Sequence, residues 1–139
     1  MTMAREIMHD GAQCVGEHES LRTAARMMRD LNVGALPICG DDDRLHGMIT
    51  DRDIVLKCVA EGADPTTMTA SELAQGTPFC VSADADVHDV LEMMERYQVR
   101  RLPVIEDRRL IGMISEGDIG QHLDEERVGQ LVHAVTAPA

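Results

Sequence analysis

Two short segments carry the residues best suited to chemistry. Gly47-Met48-Ile49-Thr50-Asp51-Arg52-Asp53 is echoed by Gly112-Met113-Ile114-Ser115-Glu116-Gly117-Asp118. In each, a glycine opens an apolar strand, a hydroxyl residue stands where strand gives way to helix, and a carboxylate follows three residues later. Hydroxyl and acid at that spacing form a capping box, satisfying amide groups that the first helical turn leaves free. Such a cap is worth about 1 kcal/mol per helix. The same helix start can instead offer its free N–H groups and its dipole to a phosphate. The carboxylate would then be placed for ribose hydroxyls. On the residues alone both readings stand.

The other reactive side chains are sparser. Of the four cysteines, Cys14 and Cys80 occupy equivalent places in an internal repeat, as small core residues would. Cys39 has no such counterpart, since Ile105 stands there, and if its strand shares a sheet with that of Cys14 the two can be bridged. Cys58 and His122 fall on the second helix of the two repeats, and zinc takes ligands of both types, within a chain or across a dimer. Neither CxxC nor zinc-finger spacing occurs. The six histidines (9, 18, 46, 88, 122 and 133) are otherwise scattered, as solvent-facing or capping side chains are. No nucleophile elbow and no HExxH is present, so the expected protein is not an enzyme.

The elements that must position these residues occur twice. A shift of 66 residues sets Ala4, Glu6, Cys14, Val15, Met27, Met28, Val33, Leu36 and Pro37 on Ala70, Glu72, Cys80, Val81, Met93, Met94, Val99, Leu102 and Pro103. Beyond Asp41 a shift of 65 sets Leu45, Gly47, Met48, Ile49, Asp53 and Ile54 on Leu110, Gly112, Met113, Ile114, Asp118 and Ile119. One missing residue in a polar loop is the mark of a duplication. Leu21, Ala24, Ala25 and Met28 make one helical stripe, and Val87, Val90, Leu91 and Met94 repeat it. Ser20 and Asp86 stand ahead as N-caps. Strand-like runs follow at Ala35 to Cys39 and His46 to Thr50, then at Arg101 to Ile105 and Ile111 to Ser115.

Each repeat therefore reads strand, helix, strand, strand, helix. The expected organisation is a first repeat over 1–62, a linker over 63–69, a second repeat over 70–127 and a flexible tail over 128–139. A unit of under ~60 residues is marginal alone. The expected fold is thus mixed α/β (α+β), with two tandem repeats packed sheet on sheet about a pseudo-twofold axis.

Composition narrows the function. One Phe, one Tyr and no Trp leave ten Met and the aliphatics to fill the core. A formal net charge of −12 argues against nucleic acid and against anionic membrane surfaces. No apolar run approaches the ~20 residues of a membrane span. The N-terminus is charged and has no apolar signal core, so the expected location is cytoplasmic, with leaderless export left open.

With Val33-Gly34-Ala35-Leu36-Pro37-Ile38 and Val99-Arg100-Arg101-Leu102-Pro103-Val104 ahead of the boxes, the duplicated pattern resembles the CBS domain family over about residues 4 to 125. That resemblance implies a non-catalytic module of two β-α-β-β-α units, forming a homodimer and acting on a protein partner in a hypoxia-type stress setting. It implies an adenosine-containing ligand, an AMP- or ATP-type nucleotide, in the clefts between the repeats. Asp53 and Asp118 would hold the ribose, Thr50 and Ser115 would lie near phosphates, and Val15 and Val81 near the base. Arg52, Arg100 and Arg101 would supply cations. The second box departs from the pattern, with Gly117 in the place of Arg52 and Glu116 as an extra acid. Asp41 to Asp43 and the overall charge oppose a triphosphate. The alternative is an interaction dimer with empty nucleotide clefts, clamped by a Cys14–Cys39 disulfide or by zinc.

Overall fold

In the computed structural model, residues 1–10, 12–74 and 80–137 are described. They fall into two compact units: Gln13–Pro78, and Phe79–Ala139 together with Met1–Ala12. The two are called the first and second unit below.

Among the described residues the first unit holds a three-stranded sheet. Its strands are β2 (Val15–Gly16), β3 (Ala35–Cys39) and β4 (Leu45–Thr50), with β3 central, parallel to β2 and antiparallel to β4. The helix α2 (Leu21–Leu31) packs Leu21, Ala24 and Met28 against Leu36, Ile38 and Ile49. Ser20 Oγ accepts from the Thr23 amide as its N-cap. Asn32, at φ 55°, ends the helix in the left-handed region, which asparagine tolerates better than most residues. Directly after β4 comes α3 (Asp51–Ile54), continued by a π-helical turn over Val55–Val59 that buries Cys58.

The second unit repeats this plan with α5 (Val87–Tyr97), β5 (Val81–Ser82), β6 (Arg101–Glu106), β7 (Arg109–Ser115) and α6 (Glu116–His122). Asp86 Oδ1 accepts from the His88 amide ahead of α5, and Gln98 ends the helix at φ 53°, where Asn32 ends α2. Asp107 and Arg108 both take positive φ in a tight turn that pairs Glu106 with Arg109. Between its Cys39–Leu45 pair the hairpin of the first unit encloses five residues, against four between the equivalent Ile105–Leu110 pair, and that one residue is the gap in the repeat.

Each unit is completed by a short helix from the other end of the repeat pattern. In the second unit, α1 (Ala4–Ile7) docks through Ala4 N to Ala85 O and Arg5 N to Ala83 O, while Val87 N reaches Thr2 O. In the first unit, α4 (Ala70–Leu73) docks through Ala70 N to Glu19 O and Ser71 N to Glu17 O, while Leu21 N reaches Met68 O. These are the same three bonds moved by 66 residues. Sequence repeats and spatial units therefore differ in membership: the N-terminal segment packs with the second set of strands. Periodicity reports the local element and not its partner, so the exchange was invisible in the sequence.

The tail expected to fray from Val128 is instead part of α7 (Glu125–Thr136). Asp124 caps it by accepting from the Arg127 amide, and Leu131 and Val135 are buried in the second unit's core. Arg127 pairs with Glu95 on α5, and the Gln98 side-chain Nε2 donates to Ala134 O and Ala137 O. No described helix is long and apolar enough to cross a membrane.

Candidate functional site

Both boxes form reciprocal caps. In the first, the Asp53 amide donates to Thr50 Oγ1 at 3.0 Å, and Thr50 N donates to Asp53 Oδ2 at 3.0 Å. In the second, the Asp118 amide donates to Ser115 Oγ at 3.3 Å, and Ser115 N donates to Asp118 Oδ2 at 2.9 Å. Each helix start is further tied back, Asp51 N to Gly34 O and Glu116 N to Arg100 O. The capping role is thus realised at both sites. It leaves the second carboxylate oxygen of each acid for other partners.

The glycine that opens each box has a steric reason. A Cβ on Gly112 would lie 2.5 Å from Met8 Sδ and 2.9 Å from His9 O, so only glycine lets the N-terminal segment lie against β7. That segment forms β1 (His9–Asp10), antiparallel to β7 in the register His9 with Met113 and Asp10 with Gly112. A Cβ on Gly47 would meet Ala74 Cβ at 2.9 Å, in the segment that follows α4.

Beyond this shared frame the boxes differ. Asp118 Oδ2 also accepts from Ser115 Oγ at 3.0 Å and lies 2.7 Å from His9 Nδ1, so it carries three donors. Asp53 has no histidine. Its Oδ1 lies 3.3 Å from Lys57 Nζ, one helical turn on, and that lysine side chain is 37% exposed. His9 was the functional neighbour that sequence reasoning missed. It stands 109 residues from Asp118, and no local spacing links the two.

The remaining expected residues fall out as follows. Arg52, Arg100 and Arg101 are exposed, and no acidic side chain among the described residues lies within ion-pair distance of them. Val15 and Val81 are buried in the cores of their own units. Cys14 and Cys39 are joined by a disulfide with 5.6 Å between Cα atoms. The expectation of a core role for Cys14 by analogy with Cys80 is therefore corrected. The parallel pairing of β2 on β3 brings the residue just ahead of β2 diagonally beside the end of β3. Cys80 remains a free, half-buried thiol, and its burial pushes the thiol pKa up. Beside the bridge, Glu17 lies 2.7 Å from His46 Nδ1 and 3.3 Å from His18 Nε2.

The two metal candidates belong to different units. Cys58 is buried in the first unit with its thiol 3.5 Å from Ala63 O. His122 is exposed in the second unit, with Nδ1 2.8 Å from Asp118 O. Among the described residues no group of three or more His, Cys, Asp or Glu side chains is placed to hold a metal ion.

Comparison with known proteins agrees with the duplicated architecture. Hypoxic response protein 1 of Mycobacterium tuberculosis is 55% identical over 138 residues, 99% of this chain and 96% of that one. The Bacillus subtilis protein YlbB, itself uncharacterized, is 32% identical over 98% of this chain and 93% of its own. Among solved structures, Hypoxic Response Protein I with two coordinated zinc ions superposes with a TM-score of 0.82 at 57% identity, over 88% of this chain and 100% of that one. A Thermoplasma acidophilum CBS-domain protein shares the fold at only 18% identity, with a TM-score of 0.81 over 96% of this chain and 75% of its own. The CBS domain pattern itself matches twice, at residues 4–59 and 70–125. With both repeats matched and each box standing at the same point of its unit, the chain belongs to the CBS domain family.

Proposed function

We propose that this chain is a non-catalytic CBS-pair regulatory module that takes an adenosine-containing ligand at the Thr50–Asp53 box. The bound state is then read by a protein partner in a hypoxia-type stress response. One observation carries the reading. The Asp53 carboxylate keeps an oxygen, Oδ1, whose ion-pair partner among the described residues is the long side chain of Lys57. An i,i+4 ion pair on a helix is worth roughly 0.3–0.5 kcal/mol. Ribose hydroxyls can therefore replace Lys57 at little cost, and the freed ammonium, with exposed Arg52, faces a phosphate rather than a carboxylate. Since Val15 is buried, contact with the base would fall to main-chain atoms near Cys14 and Val15.

Calorimetric titration with AMP, ADP, ATP and S-adenosylmethionine tests this. Saturable heat that is lost in Asp53→Ala is the expected result. A folded protein that gives no heat with any of the four sinks the ligand reading.

A second reading has its own observations, the Cys14–Cys39 disulfide and the zinc in the 57% identical relative. In it the chain works as a homodimer with its boxes empty, and zinc is held between copies. Among the described residues no group of three or more donors is placed for a metal ion, and zinc in structural sites takes four. Cys58 and His122 are the candidate ligands, and Cys58 would have to give up its place against Ala63 O. Metal analysis of untagged protein, with light scattering before and after chelation, separates the cases. Stoichiometric zinc lost in His122→Ala supports this reading. A metal-free dimer removes zinc from it, and a strict monomer ends it.

A further inference from the structure

We propose that His9 is a built-in occupant of the second box, closing it to the ligand class that the first box accepts. The inference rests on the reading that the box acids hold a ribose, and it concerns the regulation of that same site.

The contrast between the two carboxylates is the starting point. Asp118 is the more sequestered, its side chain 16% exposed against 26% for Asp53. Three donors converge on its Oδ2: Ser115 N, Ser115 Oγ and the His9 ring. Oδ1 is left for one hydroxyl, so a ribose diol that takes both oxygens of this acid must displace the imidazole 2.7 Å from Oδ2. At Asp53 the competitor is a lysine on the same helix, with a long flexible stem. His9 is held differently. It is part of β1, hydrogen-bonded into the sheet edge beside β7, and its side chain has only two rotatable bonds. Less freedom is lost when such a side chain is fixed, so its contact is harder to displace.

The rest of the N-terminal segment maintains the position. Ile7 is 1% exposed and Ala4 0%, so α1 is anchored in the core directly ahead of the histidine. Arg5 reaches Asp84 at 2.6 Å and Glu106 at 3.3 Å. Gly112 gives the clearance that lets His9 lie against β7. Under the 66-residue shift the counterpart of His9 is Gln75, an uncharged side chain outside the described residues. The second box also lacks the cation that the first carries, with Gly117 at the place of Arg52. Both differences bias the same box toward closure.

Stoichiometry tests the idea. AMP is titrated into the wild-type protein, His9→Ala, Asp53→Ala and His9→Ala/Asp118→Ala, each shown to be folded by circular dichroism. His9 is more than half exposed, so its removal leaves the core intact. The expected result is one equivalent for the wild type, two for His9→Ala, and one again for the double variant. One equivalent in both wild type and His9→Ala overturns the closure and leaves the first-box reading standing. Two equivalents in the wild type do the same. No binding to the wild type but one equivalent to His9→Ala, lost in the double variant, keeps the closure and sinks the first-box reading. No binding to any variant overturns both.

Discussion

The two units share a sheet, a capped helix and a box, yet they are secured by different means. The first unit fastens the start of β2 to the end of β3 through the Cys14–Cys39 disulfide. The second unit has Cys80 and Ile105 at those places and no covalent link. It has instead the packed helix α7 with Leu131 and Val135 in the core. One copy of a duplicated unit has thus been stabilised by constraining the unfolded chain, the other by burying more apolar surface. The boxes diverged in the same way: one acid faces a lysine one helical turn on, the other a histidine held on a strand.

The largest expected effect breaks the packing side of that contrast. Leu131→Ala removes a fully buried side chain and should cost about 2–5 kcal/mol, as core leucine truncations do. Hydrogen exchange should show the loss in amides of β6 and β7 first. Were the exchange unaltered there, α7 would not be a structural part of the second unit.

Next comes the covalent side. Cys39→Ser, or reduction, opens a loop of sequence separation 25, worth about 3 kcal/mol in the chain-entropy account. Denaturant melts with and without reductant measure it. Loss of protection is expected in β2 and β3, and a reductant-insensitive midpoint would contradict the role given to the bridge.

Capping gives a smaller effect and sharpens the comparison of the boxes. Thr50→Ala and Ser115→Ala should each cost about 1 kcal/mol in urea melts. Ser115→Ala should also shift the His9 ring resonances in NMR spectra, because Ser115 and His9 share Asp118 Oδ2. Thr50→Ala should leave those resonances in place.

The smallest effect concerns the free thiols. Burial raises the Cys80 pKa, so the native state holds that proton longer than the unfolded chain does. The associated stability is fully present below the ordinary thiol range and is lost as pH rises through the raised value. Iodoacetamide at neutral pH should therefore modify Cys80 more slowly than a free thiol. Cys58, with 0% exposure, should react only when the first unit opens. Equal rates for both cysteines would contradict the burial assigned to each.

The sequence displayed much of this frame. The repeat, the apolar stripes of α2 and α5, the caps at Ser20 and Asp86 and the two boxes are all local patterns, and local patterns survive in one dimension. The docking of α1 and α4 is not local, because each helix bonds to chain far from it in the repeat pattern. His9 beside Asp118 was hidden for the same reason. The helix α7 did leave a signal, Val128, Leu131 and Val135 at helical spacing behind Asp124. The bridge could be suspected from the unmatched Cys39, but only the register of β2 on β3 brings the two sulfurs together.

A crystal structure of the protein grown with AMP tests the central claim most directly. The account predicts nucleotide density at the Thr50–Asp53 box, with Lys57 moved away from Asp53. It also predicts none at Ser115–Asp118, where His9 still holds the acid. Density at the second box with His9 displaced, or a folded protein with neither box occupied at saturating AMP, would contradict it.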